Sequence, residues 1–310
     1  MAYPKKLINS LALFGLIWVC LLIIPYSSVA QDTIIYGGNA YFLADVIEIN
    51  LYTNSSRKVG DLLFDTQAIG QGPDGYVYYF EWLSSGNELA YWDPETGTNT
   101  LVRTYSSTPW GLAKRAAFGP DGDLYLMDDG GGLYTVDAAT GDWEFLGTVD
   151  GIPTGSSSSG DMAFSPDGLL YVVISANLYS VDLESESLAA TLLDTNMIPG
   201  GGYTVWTGLA FCDGALYASD VNILNRNSSI YRIDLADDYP VTELINTGTM
   251  LNDLTSCPAV LEPIGCEGDF NEDDDIDGLD LAELSNDINL LDLSVFASNF
   301  GKADCVDFGN

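Results

Sequence analysis

The sequence predicts an all-β fold assembled from one repeated four-strand unit, and three observations carry that reading. First, four segments share a turn: "GQGPDGYVYYF", "AFGPDGDLYLM", "AFSPDGLLYVV" and "AFCDGALYAS" place Asp74, Asp121, Asp167 and Asp213 at successive spacings of 47, 46 and 46 residues. Second, each is followed by an alternating segment and a polar turn, in "NELAYWDPETGTNTLV", "GGLYTVDAATGDWEFLG", "ANLYSVDLESESLAATL" and "SSIYRIDLADDYPVTEL". Third, helical periodicity is absent from this whole stretch. Four short strands in each repeat of that length make one blade of a β-propeller.

Each unit reads as an inner strand, a Pro-Asp-Gly turn, a Leu-Tyr strand, a loop, an alternating strand ending in Ile/Val-Asp, a turn and an outer strand. Pro120, Asp121 and Gly122 suit the tight turn, and Tyr125 and Tyr134 suit packing between blades. Near the N-terminus, "VIEINLYTNSSRKVG" from Val46 supplies the latter half of a blade, and "MLNDLTSCPAV" from Met250 falls where another inner strand is due. Joining these two ends in one blade closes a ring of five blades over residues 31–260, or of six if an irregular blade lies hidden. A β-sandwich, the competing all-β architecture, needs no such regular repetition.

The units resemble those of secreted bacterial propellers with NHL-type and gluconolactonase-like repeats. The resemblance covers the propeller body and rests on turn and core residues, so it implies a scaffold and leaves the function open.

Composition narrows the chemistry. The chain has 310 residues, no histidine, and a net charge of −35 from 45 acidic and 10 basic residues. Without histidine there is no Ser-His or Cys-His pair and no imidazole metal ligand. Such acidity repels nucleic acid and anionic lipid and attracts divalent cations. Lys5 and Lys6, the apolar run from Leu7 to Ile24, and the small residues Ser28 and Ala30 predict a secretory signal over residues 1–30, although the run is long enough to act as a retained anchor. No later stretch approaches membrane length. Cleavage would lower the net charge to −37 and leave a secreted, extracellular or cell-surface protein with Cys212, Cys257, Cys266 and Cys305 in an oxidising compartment. Cys212 and Cys257 occupy nearly equivalent ends of neighbouring inner strands. A bridge there would pin the last blade to the closing strand; two free buried thiols are the other reading. Asn54 and Asn227 head N-x-Ser sequons.

Propeller ligands gather over the axis, on the face where inter-blade loops and the loops between second and third strands converge. The repeat alignment puts Trp82, Trp110, Arg115, Asp128, Asp129, Trp206, Asp220 and Asn222 there. Of these, Trp82, Trp110, Arg115, Asp128, Trp206 and Asp220 are the candidate ligand-binding residues. Aromatic platforms with scattered acids and an arginine suit a carbohydrate or a peptide, while tryptophan also fills gaps between blades. No catalytic residue is assigned. A hydrolase of glycosidic or lactone bonds would need two or three carboxylates converging at the tunnel mouth.

After Pro263 the composition changes to "CEGDFNEDDDIDGLDLAELSNDINLLDLSVFASNFGKADC". Counting from Asp269, oxygen donors fall at the offsets of a calcium loop: Asp269, Asn271, Asp273, Asp275 through its carbonyl, Asp277 and Asp280, with Ile276 as the packing residue. Leu281 and Leu284 then share a helical face. This loop and helix resemble a type I dockerin, an EF-hand-like calcium module, which implies a small α-helical domain over residues 261–310 and Ca2+ as its ligand. The sequence departs from that family in Asp274, where glycine normally turns the chain, and in a second loop that keeps only Ile288, Asn289 and Asp292. Gly278 and Leu279 occupy the pair of positions that a dockerin presents to a cohesin, so a cohesin-like partner does not follow from the match, and another extracellular protein fits as well. A Cys266–Cys305 bridge would close a domain too small to be held by burial alone.

The expectation is therefore a secreted, non-catalytic binding or assembly protein, in which the propeller recognises and a calcium-dependent module attaches. The alternative is a secreted carbohydrate-active or lactonase-like propeller enzyme with the same appendage.

Overall fold

The computed structural model describes residues 33–257, apart from 40–43, 83–87, 156–158, 184, 186, 196, 198–203, 223 and 236–238. The signal segment 1–30, the calcium-loop residues Asp269 to Asp280, and Cys266 and Cys305 all lie outside the described residues.

Twenty strands form five four-stranded antiparallel sheets among these residues. Blade two consists of β4 (Thr66–Gln71), β5 (Val77–Glu81), β6 (Glu88–Trp92) and β7 (Asn99–Thr104). Blade three consists of β8 (Ala113–Phe118), β9 (Leu124–Asp128), β10 (Gly132–Val136) and β11 (Trp143–Thr148). Blade four holds β12 (Gly160–Phe164), β13 (Leu170–Ile174), β14 (Asn177–Val181) and β15 (Ala190–Asp194). Blade five holds β16 (Thr204–Cys212), β17 (Ala215–Asn222), β18 (Ser229–Ile233) and β19 (Val241–Asn246).

Blade one is shared between the two ends of the described chain. β20 (Leu251–Leu254) is its inner strand, followed outward by β1 (Ile34–Asn39), β2 (Asp45–Asn50) and β3 (Ser55–Asp61). Gly37 opposes Leu254 and Gly38 opposes Asp253, so the ring closes through backbone hydrogen bonds. Five blades is the observed number. The Cys212–Cys257 disulfide, with Cα atoms 5.2 Å apart, ties the end of β16 to the chain just after β20.

The repeated turn has a specific physical basis. Asp121 accepts the Asp123 amide at 3.1 Å and the Tyr125 hydroxyl at 2.7 Å, and Asp74 does the same for Tyr76 and Tyr78. The glycine after each aspartate has φ of +85° at Gly122 and +84° at Gly75, a region that side-chain-bearing residues avoid. The tyrosine then reaches the next blade: Tyr125 packs on Phe164 with ring centroids 4.8 Å apart, and Tyr78 on Phe118 at 5.4 Å. Burial follows the radius of the ring. β9, β12 and β13 are buried along their whole length, because neighbouring blades cover both faces, whereas β11 is exposed along most of its length. No helix among the described residues is long and apolar enough to cross a membrane.

Candidate functional site

The inner strands β4, β8, β12, β16 and β20 run with one edge facing the axis, where no fifth strand pairs with them. Their axis-facing amides need other acceptors. Two aspartates provide them. Asp161 accepts the Leu209 amide at 2.6 Å, the Met162 amide at 2.7 Å and the Leu254 amide at 3.3 Å. Asp253 accepts the Ile69 amide at 2.7 Å and the Leu254 amide at 2.9 Å. Through these bonds Asp161 joins blades four, five and one, and Asp253 joins blades one and two.

Both carboxyls are fully buried, and a side-chain hydrogen bond between them requires a shared proton. Burial holds both above the ordinary carboxylate range. Arg115, 1% exposed, supplies the balancing charge: burial lowers its guanidinium to about 10, opposed by the fields of Asp161, Asp253, Asp128 and Asp129. Its Nη1 also donates to the Asp128 carbonyl at 3.3 Å. Ala68 and Gly208 fill the repeat-equivalent positions in this layer. A Cβ on Gly208 would come within 2.6 Å of Leu254, so the layer has no room for a larger residue there.

One residue earlier in each inner strand lies a ring that the repeat also generates: Gln67, Lys114, Gly160, Thr207 and Asn252, at spacings of 47, 46, 47 and 45 residues. Together with Ser159 they line one small, shallow depression at the axis. It lies near the starts of the inner strands, on the face of the inter-blade linkers. Lys114 Nζ donates to Gln67 Oε1 at 3.0 Å, and Thr207 Oγ1 donates to the Leu251 carbonyl at 2.8 Å. Gly160 leaves one sector of the ring without a side chain; its φ is +153°, and a Cβ would fall 1.8 Å from the Val173 carbonyl oxygen. The mouth therefore offers amides, hydroxyls and one ammonium above a sealed charged layer.

Of the sequence-predicted ligand residues, the structure brings only Arg115 to the axis. Trp110 and Trp206, 1% and 0% exposed, are packing residues: Trp110 meets Phe80, Tyr105, Tyr134 and Trp143 edge-on, and Trp206 meets Tyr231 at 5.3 Å. Neither presents a platform to solvent, because each fills the volume beside its own inner strand. Asp128 and Asp220 are buried acceptors inside the hairpins of their blades. Asp128 takes the Gly130 and Gly132 amides at 2.8 Å, and Asp220 takes the Ser229 amide at 2.7 Å and the Tyr231 hydroxyl at 3.2 Å. Trp82 is half-buried, with its amide on the Asp65 carbonyl. Sequence reasoning missed the Gln67, Lys114, Gly160, Thr207 and Asn252 ring, whose signal was the same spacing that revealed the turns, read one strand earlier.

The opposite face is different in kind. Its axial depression is lined by Phe118, Phe164, Phe211 and the turn prolines Pro73, Pro120 and Pro166. Among the described residues, no group of three or more Cys, Asp or Glu is arranged to hold a metal ion.

No family model matches the chain, and neither does any curated protein. Solved propeller structures do resemble it. Virginiamycin B lyase from Staphylococcus aureus is 18% identical over 69% of this chain and 71% of that one, with a TM-score of 0.39. An auxiliary nutrient binding protein from Bacteroides thetaiotaomicron is 13% identical over 67% of this chain, which spans 57% of that protein, with a TM-score of 0.43. A gluconolactonase-like protein is 14% identical over 72% of this chain and 81% of that one, at 0.45. At these levels the likeness carries no activity across.

Proposed function

We propose that this is a secreted, non-catalytic binding protein whose propeller holds a small polar ligand at the axial mouth, and whose residues 261–310 form a calcium-dependent attachment module. One observation carries the binding reading: the axial carboxyls are fully buried and taken up by backbone amides, while the accessible mouth above them is a ring of amides, hydroxyls and an ammonium. Glycosidase chemistry needs an acid and a base that a substrate can touch. Asp161 and Asp253 meet no solvent and serve the scaffold. Hydrogen-bonding groups converging in a concave site suit a hydroxylated ligand. The disulfide between Cys212 and Cys257 supports an oxidising compartment.

The test is a glycan and peptide array probed with the full-length chain, with and without a calcium chelator, beside a Gln67→Leu/Asn252→Leu variant. Binding of a saccharide or peptide that the double substitution abolishes and chelation leaves intact is the expected result. Binding that ignores the double substitution, or no binding on the array, overturns the reading.

The attachment half rests on the donor set Asp269, Asn271, Asp273, Asp275, Asp277 and Asp280. Carboxylates this close repel one another without a cation, so metal binding and ordering of the segment would be coupled. Calcium would supply charge neutralisation and a fixed loop geometry there. Retention of the full-length chain on its secreted partners with calcium, lost on chelation, is the expected outcome; retention indifferent to calcium removes this half alone.

A further inference from the structure

Lys114 is the unusual residue of the mouth. Its side chain is 8% exposed, yet its amine is held by a neutral group, the Gln67 amide carbonyl at 3.0 Å. The salt-bridged cations Arg57, Lys58 and Arg103 contact carboxylates directly: Arg57 meets Glu48, Lys58 meets Asp45 and Asp61, and Arg103 meets Asp142. Among the described residues no carboxylate lies within ion-pair distance of Lys114. In a chain with 45 acidic residues, a buried ammonium without a counter-ion is not for want of acids. Burial lowers the Lys114 pKa, the neighbouring Arg115 lowers it further, and Asp129 opposes them from a distance. Burial and Arg115 both disfavour the charged amine, and an anion seated against it would offset that cost.

From this geometry we infer that the ligand of the mouth carries a carboxylate, which pairs with Lys114, and hydroxyl groups, which take the amides of Gln67 and Asn252 and the hydroxyl of Ser159. The chemical class is a small hydroxy-carboxylate, such as a sugar acid. The inference rests on the binding reading above and adds its charge requirement. The ring has one cation, so one carboxylate is neutralised. Arg115 beneath adds positive potential, while the shared proton of Asp161 and Asp253 halves the opposing charge below it. The acidic remainder of the surface is screened over roughly 8 Å at physiological ionic strength, so Lys114 and Arg115 act at the mouth against the nearby Asp128 and Asp129.

The experiment is calorimetric titration of the full-length chain with D-glucuronate and D-galacturonate, each against its neutral parent, D-glucose and D-galactose. Lys114→Met keeps the length and apolar volume of the stem; Lys114→Arg keeps the charge. Circular dichroism and thermal unfolding establish that both variants fold. A uronate is expected to bind at least tenfold more tightly than its parent sugar. Lys114→Met should remove that difference, while Lys114→Arg retains part of it. Equal binding of uronate and parent sugar, unaffected by Lys114→Met, overturns the carboxylate inference and leaves saccharide binding at the mouth standing. Absence of binding by all four compounds overturns the carboxylate inference, and a peptide hit on the array would then keep the mouth as a binding site for another class.

Discussion

Asp161 and Asp253 show how a residue type misleads when its surroundings are unknown. An acid pair on a propeller axis invites a catalytic reading, yet these two replace the missing strand partner of the inner edges. The folded chain binds a shared proton there more tightly than the unfolded chain does. The stability this contributes is fully present below the ordinary aspartate value of 3.8 and is lost as pH rises through the raised folded-state range toward neutrality. Unfolding free energies from urea titrations should therefore rise as pH is lowered from 7.5 to 5, by up to about 1.4 kcal/mol per pH unit for one proton. Acidification also relieves the general repulsion of a −35 chain. Asp161→Asn/Asp253→Asn separates the two effects: it keeps the general repulsion and loses the proton linkage, so a slope unchanged in that variant would refute the pair's role. Trp110→Ala and Trp206→Ala should each cost about 3 to 5 kcal/mol in unfolding free energy, as buried aromatic truncations do, while half-buried Trp82→Ala should cost much less. Denaturant unfolding of the three variants checks this ranking.

The elements were legible to different degrees. The Pro-Asp-Gly turn and the Leu-Tyr strand could be read directly because aspartate, glycine and tyrosine make one local unit, closed by the bonds of Asp121 to Asp123 and Tyr125. Local bonding leaves a local sequence signature. The hairpin aspartates Asp128 and Asp220 were visible as residues but not as buried acceptors, since their partners lie across a hairpin of variable length: Gly130 and Gly132 in one blade, Ser229 and Tyr231 in the other. The closing disulfide belongs to this scale. It constrains a 45-residue separation, for which the chain-entropy estimate is about 4 kcal/mol. Cys212→Ser/Cys257→Ser should lower the melting temperature of the full chain without changing the β-rich circular dichroism at 25 °C. An unchanged melting temperature would show that the backbone closure between β1 and β20 suffices by itself.

At the scale of the molecule, ring closure brings five inner strands around one depression. Gln67, Lys114, Gly160, Thr207 and Asn252 belong to five different blades and meet only because the repeat advances each of them around the same axis. The acidic C-terminal segment is the other feature at this scale. Adding millimolar calcium to the chelated full-length chain should raise the melting temperature of a transition that Asp269→Ala/Asp273→Ala removes, and should leave the propeller transition in place. Scanning calorimetry reads both, and a profile indifferent to calcium would sink the proposal of a calcium module.

The sequence by itself determined the all-β class, the repeated four-strand unit and the joining of the two ends in one blade, because each depends on spacing or on bonds between near neighbours; the structure chose the Cys212–Cys257 bridge over two free thiols. Only the tertiary structure decided the number five, the burial of Trp110 and Trp206, and which charges face solvent. Those depend on how far the chain turns per blade and on which side chains the neighbouring blade covers. Asp161 and Lys114 differ most in this respect. One lies in the layer that closure seals, the other a single layer above it at the open mouth, and no residue beside either of them in the chain records that difference.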